Sequence, residues 1–178
     1  MEPLMQLALT ILGSRTQKII SEVLLAVSDC KCIIVEMSSS HLSQATAAYL
    51  LVEGNWNHIA KFESTLDTLQ KNLELQIHTL RSNKAEKTVL GMPYSLEIIT
   101  LDQDDIIQAV VNFLGEHNIS IQEFSASRYQ AAYSQSLVFS AKFIVIIPKD
   151  SPLLSVREQF LDFCDQLNID AILEPVKR

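Results

Sequence analysis

Glycine is scarce in this chain, four in 178 residues. Loops that cradle phosphates need clustered glycines so that backbone N–H groups can approach the ligand, and neither a G-x-G-x-x-G nor a Walker pattern occurs. No nucleophile elbow is present, nor a histidine beside a nucleophile motif, so the chain is not expected to be an enzyme and no catalytic residue is assigned. Long apolar runs are also missing. None approaches the roughly 20 residues that cross a bilayer. Residues 1–6 carry an acid and no basic cluster ahead of the first apolar stretch. Neither a membrane segment nor an export signal is expected, which points to the cytoplasm.

Basic residues are the minority, 14 Lys and Arg against 21 Asp and Glu, for a net charge of −7. Nucleic-acid binding needs a cationic face that displaces counterions from phosphates, so direct contact with nucleic acid is not expected. The imbalance is uneven: residues 1–81 hold six basic and eight acidic side chains, residues 94–178 six and twelve. Cysteines number three, Cys30, Cys32 and Cys164, and the histidines His41, His58, His78 and His117 lack metal-ligand spacing. The cysteines are expected as small buried hydrophobes in a reducing compartment, with no metal and no cofactor.

What the sequence does contain is a repeat. Residues 7–37, LALTILGSRTQKIISEVLLAVSDCKCIIVEM, read as strand, polar loop, amphipathic helix and strand, and the pattern returns at residues 94–124. Counterparts lie 87 residues apart without a gap: Leu7 and Tyr94, Ile19 and Ile106, Val23 and Val110, Ile34 and Ile121, Glu36 and Glu123. Apolar positions match at both helical and strand spacing, which indicates a duplicated module.

In the first copy, residues 7–12 are expected as a strand and 17–28 as a helix with Ile19, Ile20, Val23, Leu24 and Val27 inward. Residues 32–37 follow as a strand, 38–43 as a polar turn and 45–52 as the returning strand. Asn55 is an N-cap for a helix over 56–72 that turns Ile59, Phe62, Leu66 and Leu69 inward, and 73–80 closes the module as a strand. The stretch 82–93, ending in Gly91 and Pro93, reads as the linker between a first domain, 1–81, and a second, 94–178.

The second copy repeats the order: strand 96–101, helix 105–115, strand 119–124, turn 127–135, strand 136–147 and strand 169–176. Its second helix is expected to start with Ser151 as cap and Pro152 at the first helical position, with Val156, Phe160, Phe163 and Leu167 inward. Aligning the second helices makes the second hairpin about eight residues longer, which belongs at its tip. The fold class is therefore α+β: two tandem ferredoxin-like βαββαβ modules, each an antiparallel sheet with helices on one face. The opposite face carries Thr10, Glu97 and Gln122, and the open sheet edges suit association of modules or of chain copies.

A tandem βαββαβ pair of this size resembles the ACT domains, small modules that commonly bind amino acids. Within that superfamily the chain resembles the branch of glycine cleavage transcriptional repressors. The resemblance rests on Leu9-Thr10-x-x-Gly13, on Cys30-Lys31-Cys32, and above all on Gly54-Asn55-Trp56-Asn57 followed by Glu63-Ser64-Thr65-Leu66. It implies a cytoplasmic regulator that contacts the transcriptional activator of the glycine cleavage operon, with glycine or another amino acid relieving repression. A regulatory subunit of an amino-acid biosynthetic enzyme is the alternative, since those also use paired ACT modules.

The resemblance places ligand chemistry at the loop before the first helix, where ACT sensors carry Asp-x-Pro-Gly. Here those positions hold Arg15, Gln17 and Lys18, and in the second module Asp102, Asp104 and Asp105. Gly13, Ser14, Arg15, Thr16, Gln17 and Lys18, with hydroxyls and two cations near a helix N-terminus, would hold a carboxylate or form an ordinary solvated cap. Asp102 retains the aspartate of the pattern. Its loop, with three acids, suits a charge-optimised helix start and repels a carboxylate. Trp56 is expected to pack the start of its helix on the sheet, a partner contact being the other reading. Asp162, Asp165 and Asp170 read as a solvated face or as an attractor of basic partners.

Overall fold

The computed structural model describes residues 4–14, 18–83, 91–101 and 105–176. The chain divides into two compact units, Met1–Glu86 and Lys87–Arg178. The first holds β1 (Met5–Ser14), α1 (Lys18–Asp29), β2 (Ile33–Leu42), β3 (Ala45–Gly54), α2 (Trp56–Asn72) and β4 (Gln76–Asn83). The second holds β5 (Gly91–Leu101), α3 (Ile106–Glu116), β6 (Ser120–Gln130), β7 (Leu137–Pro148), α4 (Leu153–Leu167) and β8 (Asp170–Pro175). The two sheets are antiparallel, in the orders β2-β3-β1-β4 and β6-β7-β5-β8.

Each core forms because the central strands alternate with period 2 and bury alternate side chains under two helices. In the first module Leu7, Leu9 and Ile11 of β1 and Leu50 and Val52 of β3 meet Ile19, Val23 and Val27 of α1 and Ile59, Phe62 and Leu66 of α2. In the second, Leu96 and Ile98 of β5 and Phe143 and Val145 of β7 meet Val110 of α3 and Val156 and Phe160 of α4. Burying each such side chain stabilises the fold by about 1.5–3 kcal/mol, so the sheet–helix seam dominates each module's stability.

The duplication extends to backbone irregularities. β2 bulges between Ile34 and Glu36, and β6 bulges between Ile121 and Glu123, the same position 87 residues on. Lys31 and Asn118 are likewise counterparts, and both are left-handed, at φ 56° and φ 54°. The second hairpin carries only part of its extra length at the tip, which spans 131–136 where the first has Ser43 and Gln44; the rest lengthens the strands, with β6 of 11 and β7 of 12 residues against 10 each in β2 and β3.

Several local expectations are corrected. The serine-rich run 38–42 is strand, because β3 pairs it residue by residue and only Ser43 and Gln44, with Ser43 at φ 55°, make the turn. β6 likewise runs on to Gln130, paired along its length with β7. Leu24 stands 38% exposed, a 100° step off the stripe of Ile19, Val23 and Val27, and Ala26 is buried in its place. Ser151 does not cap α4. Its N–H donates to the Pro148 carbonyl at 3.0 Å, Pro152 takes the N-cap position, and no side chain caps the helix. Trp56 is 59% exposed rather than packed on the sheet. It opens α2, and helical side chains lean toward the N-terminus, so this one leans past the end of its helix.

The interval 82–93 is narrower as a connection than the sequence suggested. Ser82 and Asn83 pair with Gln6 and Met5, and Gly91–Pro93 pair with Ile146–Pro148. The remainder, 84–90, lies outside the described residues.

Candidate functional site

The residues singled out before α1 fall partly outside the described residues: Arg15, Thr16 and Gln17 do, as does Asp102 of the second module. Ser14 ends β1 opposite Ala45, and Lys18 opens α1; both are exposed. Gly13 has a packing reason for lacking a side chain. A Cβ there would lie 2.5 Å from Leu75 Cδ2 and 3.1 Å from Ile19 Cδ1, so buried Leu75 occupies that space.

A cavity stands at the equivalent helix start of the second module. Asp105, at φ 66°, holds the N-cap position of α3 but makes no side-chain cap hydrogen bond. The first N–H groups of a helix have no intrahelical acceptor, and here Asp105, Ile106, Ile107 and Gln108 line a cleft of about 270 Å³ with Arg128 and Phe139. A guanidinium beside a helix N-terminus suits a carboxylate, through a charge-assisted bidentate contact and the helix dipole. Sequence reasoning missed Arg128, which lies on the distant strand β6. A signal existed: 87 residues earlier stands His41, which hydrogen-bonds Thr46 Oγ1 through Nδ1 at 3.1 Å.

The sequence features that carried the family resemblance have mostly structural jobs. Asn55 Oδ1 accepts from the His58 N–H at 2.8 Å and caps α2. Glu63 forms a bidentate ion pair with Arg81 of β4, Nε to Oε1 at 2.8 Å and the second contact through Oε2. Thr65 Oγ1 donates to the Lys61 carbonyl at 3.0 Å and lies 3.6 Å from Cys30 Sγ, while Leu66 is core. Trp56 stands apart, exposed and available to a partner. The helix-free face of the first sheet is also apolar: Ala8, Tyr49, Leu51, His78 and Leu80 line an open trough of about 400 Å³.

All three cysteines are free thiols, Cys30 and Cys164 buried and Cys32 half-buried. Burial, with Cys30 adding, pushes the Cys32 thiol up to about 11; burial, with Asp165 adding, pushes Cys164 up to about 11. Thiols held protonated are weak nucleophiles, as packing residues should be.

His117 closes α3 and ties it to α4. Its Nδ1 lies 2.8 Å from the Phe113 carbonyl and its Nε2 2.7 Å from Gln159 Oε1, and the ring stacks on Phe113 at 4.2 Å. Gln159 Nε2 donates to Ser155 Oγ, which keeps its oxygen toward the imidazole. Two acceptors are best met by an imidazolium, so the Gln159 contact first and the Phe113 carbonyl second raise the His117 pKa above its ordinary 6.5, with burial opposing. The raised value means that this stabilisation is complete below about pH 6.5 and lost as pH rises through the folded pKa. For a partly exposed group the loss is under about 1 kcal/mol. Urea midpoints of the wild-type chain should fall between pH 6 and pH 8, and His117→Gln should flatten that slope; equal slopes would refute the clamp.

Three comparisons bear on this geometry. Residues 5–79 match the ACT domain family. The chain is 21% identical over 170 residues to the glycine cleavage system transcriptional repressor of Escherichia coli (strain K12), covering 96% of this chain and 90% of that protein; the Shigella flexneri repressor matches to the same degree. A crystal structure provisionally named as a glycine cleavage system transcriptional repressor superposes with a TM-score of 0.73 at 18% identity, over 98% of this chain and 99% of that one. A Galdieria sulphuraria protein of unknown function gives 0.74 with the same identity and coverage. Residues 5–79 thus match the ACT domain family, the second half repeats the same fold, and the chain shares its two-module fold with the structures on which it superposes.

Proposed function

We propose that this chain is a non-enzymatic cytoplasmic regulator that restrains transcription of a glycine cleavage operon by contacting the operon's activator, glycine or another amino acid relieving that contact. The observation that carries the proposal is the resemblance to the Escherichia coli repressor along 96% of the chain, through both modules in order. The net charge of −7 supports an indirect mode, since such a surface repels phosphate. Exposed Trp56, Tyr49 and Leu80 offer apolar surface to a protein partner. The amino acid's carboxylate is assigned to Arg128 in the α3 cleft and its ammonium to Asp105, which lines the same cleft, and the 13–18 loop with Arg15 and Lys18 is the second place to test.

The experiment adds purified chain to operator DNA with and without the activator. Binding only to the activator–DNA complex is expected; a shift of bare operator would overturn the indirect mode, and capture of a biosynthetic enzyme instead of the activator would favour the enzyme-subunit role. Calorimetric titration with glycine and other amino acids tests the ligand. Arg128→Ala should weaken binding by tenfold or more, because a hydrogen bond to a charged group contributes about 1.5–3 kcal/mol. Unchanged affinity in Arg128→Ala, with loss in Arg15→Ala/Lys18→Ala, would move the site to the first loop.

A further inference from the structure

Residues directly opposite one another on an antiparallel sheet share a face, so the strand pairing fixes what each helix-free face presents. In the second module that face is charged. Lys142 stands opposite Glu97 and donates to its Oε1 at 2.6 Å, and Glu123, Asp170 and Glu174 lie on the same side. Such a face is suited to water.

The first module has the same fold without that charge. Thr10 and Tyr49, opposite each other, take the places of Glu97 and Lys142, and Ala8 and Leu80 those of Ser95 and Glu174. Among the described residues of this face there is no lysine or arginine. Of its carboxylates, Glu36 lies on the edge strand and Glu53 is 8% exposed. What projects instead is apolar: Leu12, Tyr49 and Leu80 are 43%, 42% and 70% exposed. A contiguous apolar patch of this kind marks an interaction surface. The duplication supplies the internal comparison, one face solvated by ions and its counterpart stripped of them.

Shape and charge select the occupant. Small Ala8 lies at the floor of the trough of about 400 Å³, with Leu51 and Tyr49 on one side and His78 and Leu80 on the other. The face therefore holds a groove and a projecting leucine side by side, the self-complementarity that a two-fold interface requires. With a net charge of −7, copies repel one another over most of their surface, and this face is where approach costs least. Four strands about 4.8 Å apart, each contributing about eight residues at about 3.4 Å, cover about 500 Å². Two copies would bury about 1,000 Å², the lower bound for a specific interface.

We propose that a second copy of this chain covers the helix-free face of the first module. The two sheets pack face to face about 10 Å apart, with Leu80 of each copy seated over Ala8 of the other. The pairing is a property of the isolated chain and does not depend on which regulatory partner it meets.

Sedimentation equilibrium of the full chain across micromolar concentrations tests the proposal. A reversible equilibrium between the 20.0 kDa chain and twice that mass is expected, tightening as salt screens the repulsion between copies. Leu80→Glu should weaken dimerisation at least tenfold. So should Thr10→Glu/Tyr49→Lys, which gives the first sheet the ion pair that the second carries at the same register. Ile172→Glu, on the helix-free face of the second sheet, should dimerise as the wild type does. All four side chains are exposed, so the variants should keep the wild-type circular dichroism spectrum. A chain monomeric at every concentration would leave the face to a different protein and overturn the proposal. An equal loss in Ile172→Glu, or an undiminished dimer in Leu80→Glu, would also overturn it.

Discussion

Phe62→Ala should lower the stability of the first module by about 3–5 kcal/mol, the usual cost of deleting a fully buried aromatic ring. Phe62 is 0% exposed at the middle of α2, within the cluster of Leu50, Val52, Ile59 and Leu66. Part of the loss is transfer free energy, and part is the cavity left behind, because strands β1 and β3 hold the surrounding wall in register and cannot collapse around it. A small domain has only about 5–15 kcal/mol in total, so this variant should sit near its unfolding threshold. Amide exchange measured across both modules is the informative readout. Exchange should accelerate in β1, β3 and α2 while β5 and β7, whose buried cluster shares no residue with the first, remain protected. A loss below 1 kcal/mol, or equal acceleration in both modules, would refute this account of the core.

Gly13→Ala should destabilise the chain by about 1–3 kcal/mol, the range for overpacking a filled core. The added Cβ would lie 2.5 Å from Leu75 Cδ2, and Leu75 is itself 4% exposed, so it cannot swing out into solvent. An opposing effect exists. Replacing glycine stabilises by about 0.4–1 kcal/mol where the backbone accepts alanine, through the unfolded chain. Gly13 does not have a positive φ, so that gain is available. The clash is larger and should win. The result separates two roles for a residue that the family resemblance placed at a ligand loop. A packing glycine loses stability with no specific loss of amino-acid binding by the remaining folded protein, whereas a ligand-contact glycine would lose affinity at unchanged stability. Urea denaturation alongside calorimetry distinguishes them.

The legibility of this chain follows from the range of the interactions involved. Helices were readable because their signals are local: Asn55 caps through a bond three residues on, and Ile59, Phe62 and Leu66 mark one face within three turns. The repeat was readable because two copies of one pattern reinforce each other, down to the paired bulges at β2 and β6. Strand ends were not. Ser38, Ser39 and Ser40 have turn-like composition, and only their pairing with Tyr49, Ala48 and Ala47 makes them strand. The α3 cleft was half legible. Asp105 stands at the helix start that the sequence marks, but Arg128 arrives from β6, and cross-element proximity leaves no local trace.

The sequence by itself determined the element order, the twofold repetition of an α+β module and the faces that go inward, because apolar periodicity and caps act over a few residues. It also set the acidic balance, a net charge of −7. Only the tertiary structure decided where space is held. Ala8 and Ser95 are equivalent in sequence, yet Leu51 and Leu80 flank an open trough over one, and the Glu97–Lys142 ion pair stands beside the other. Cavities depend on the shapes of side chains brought together from distant elements, and packing of that kind is fixed by the folded whole.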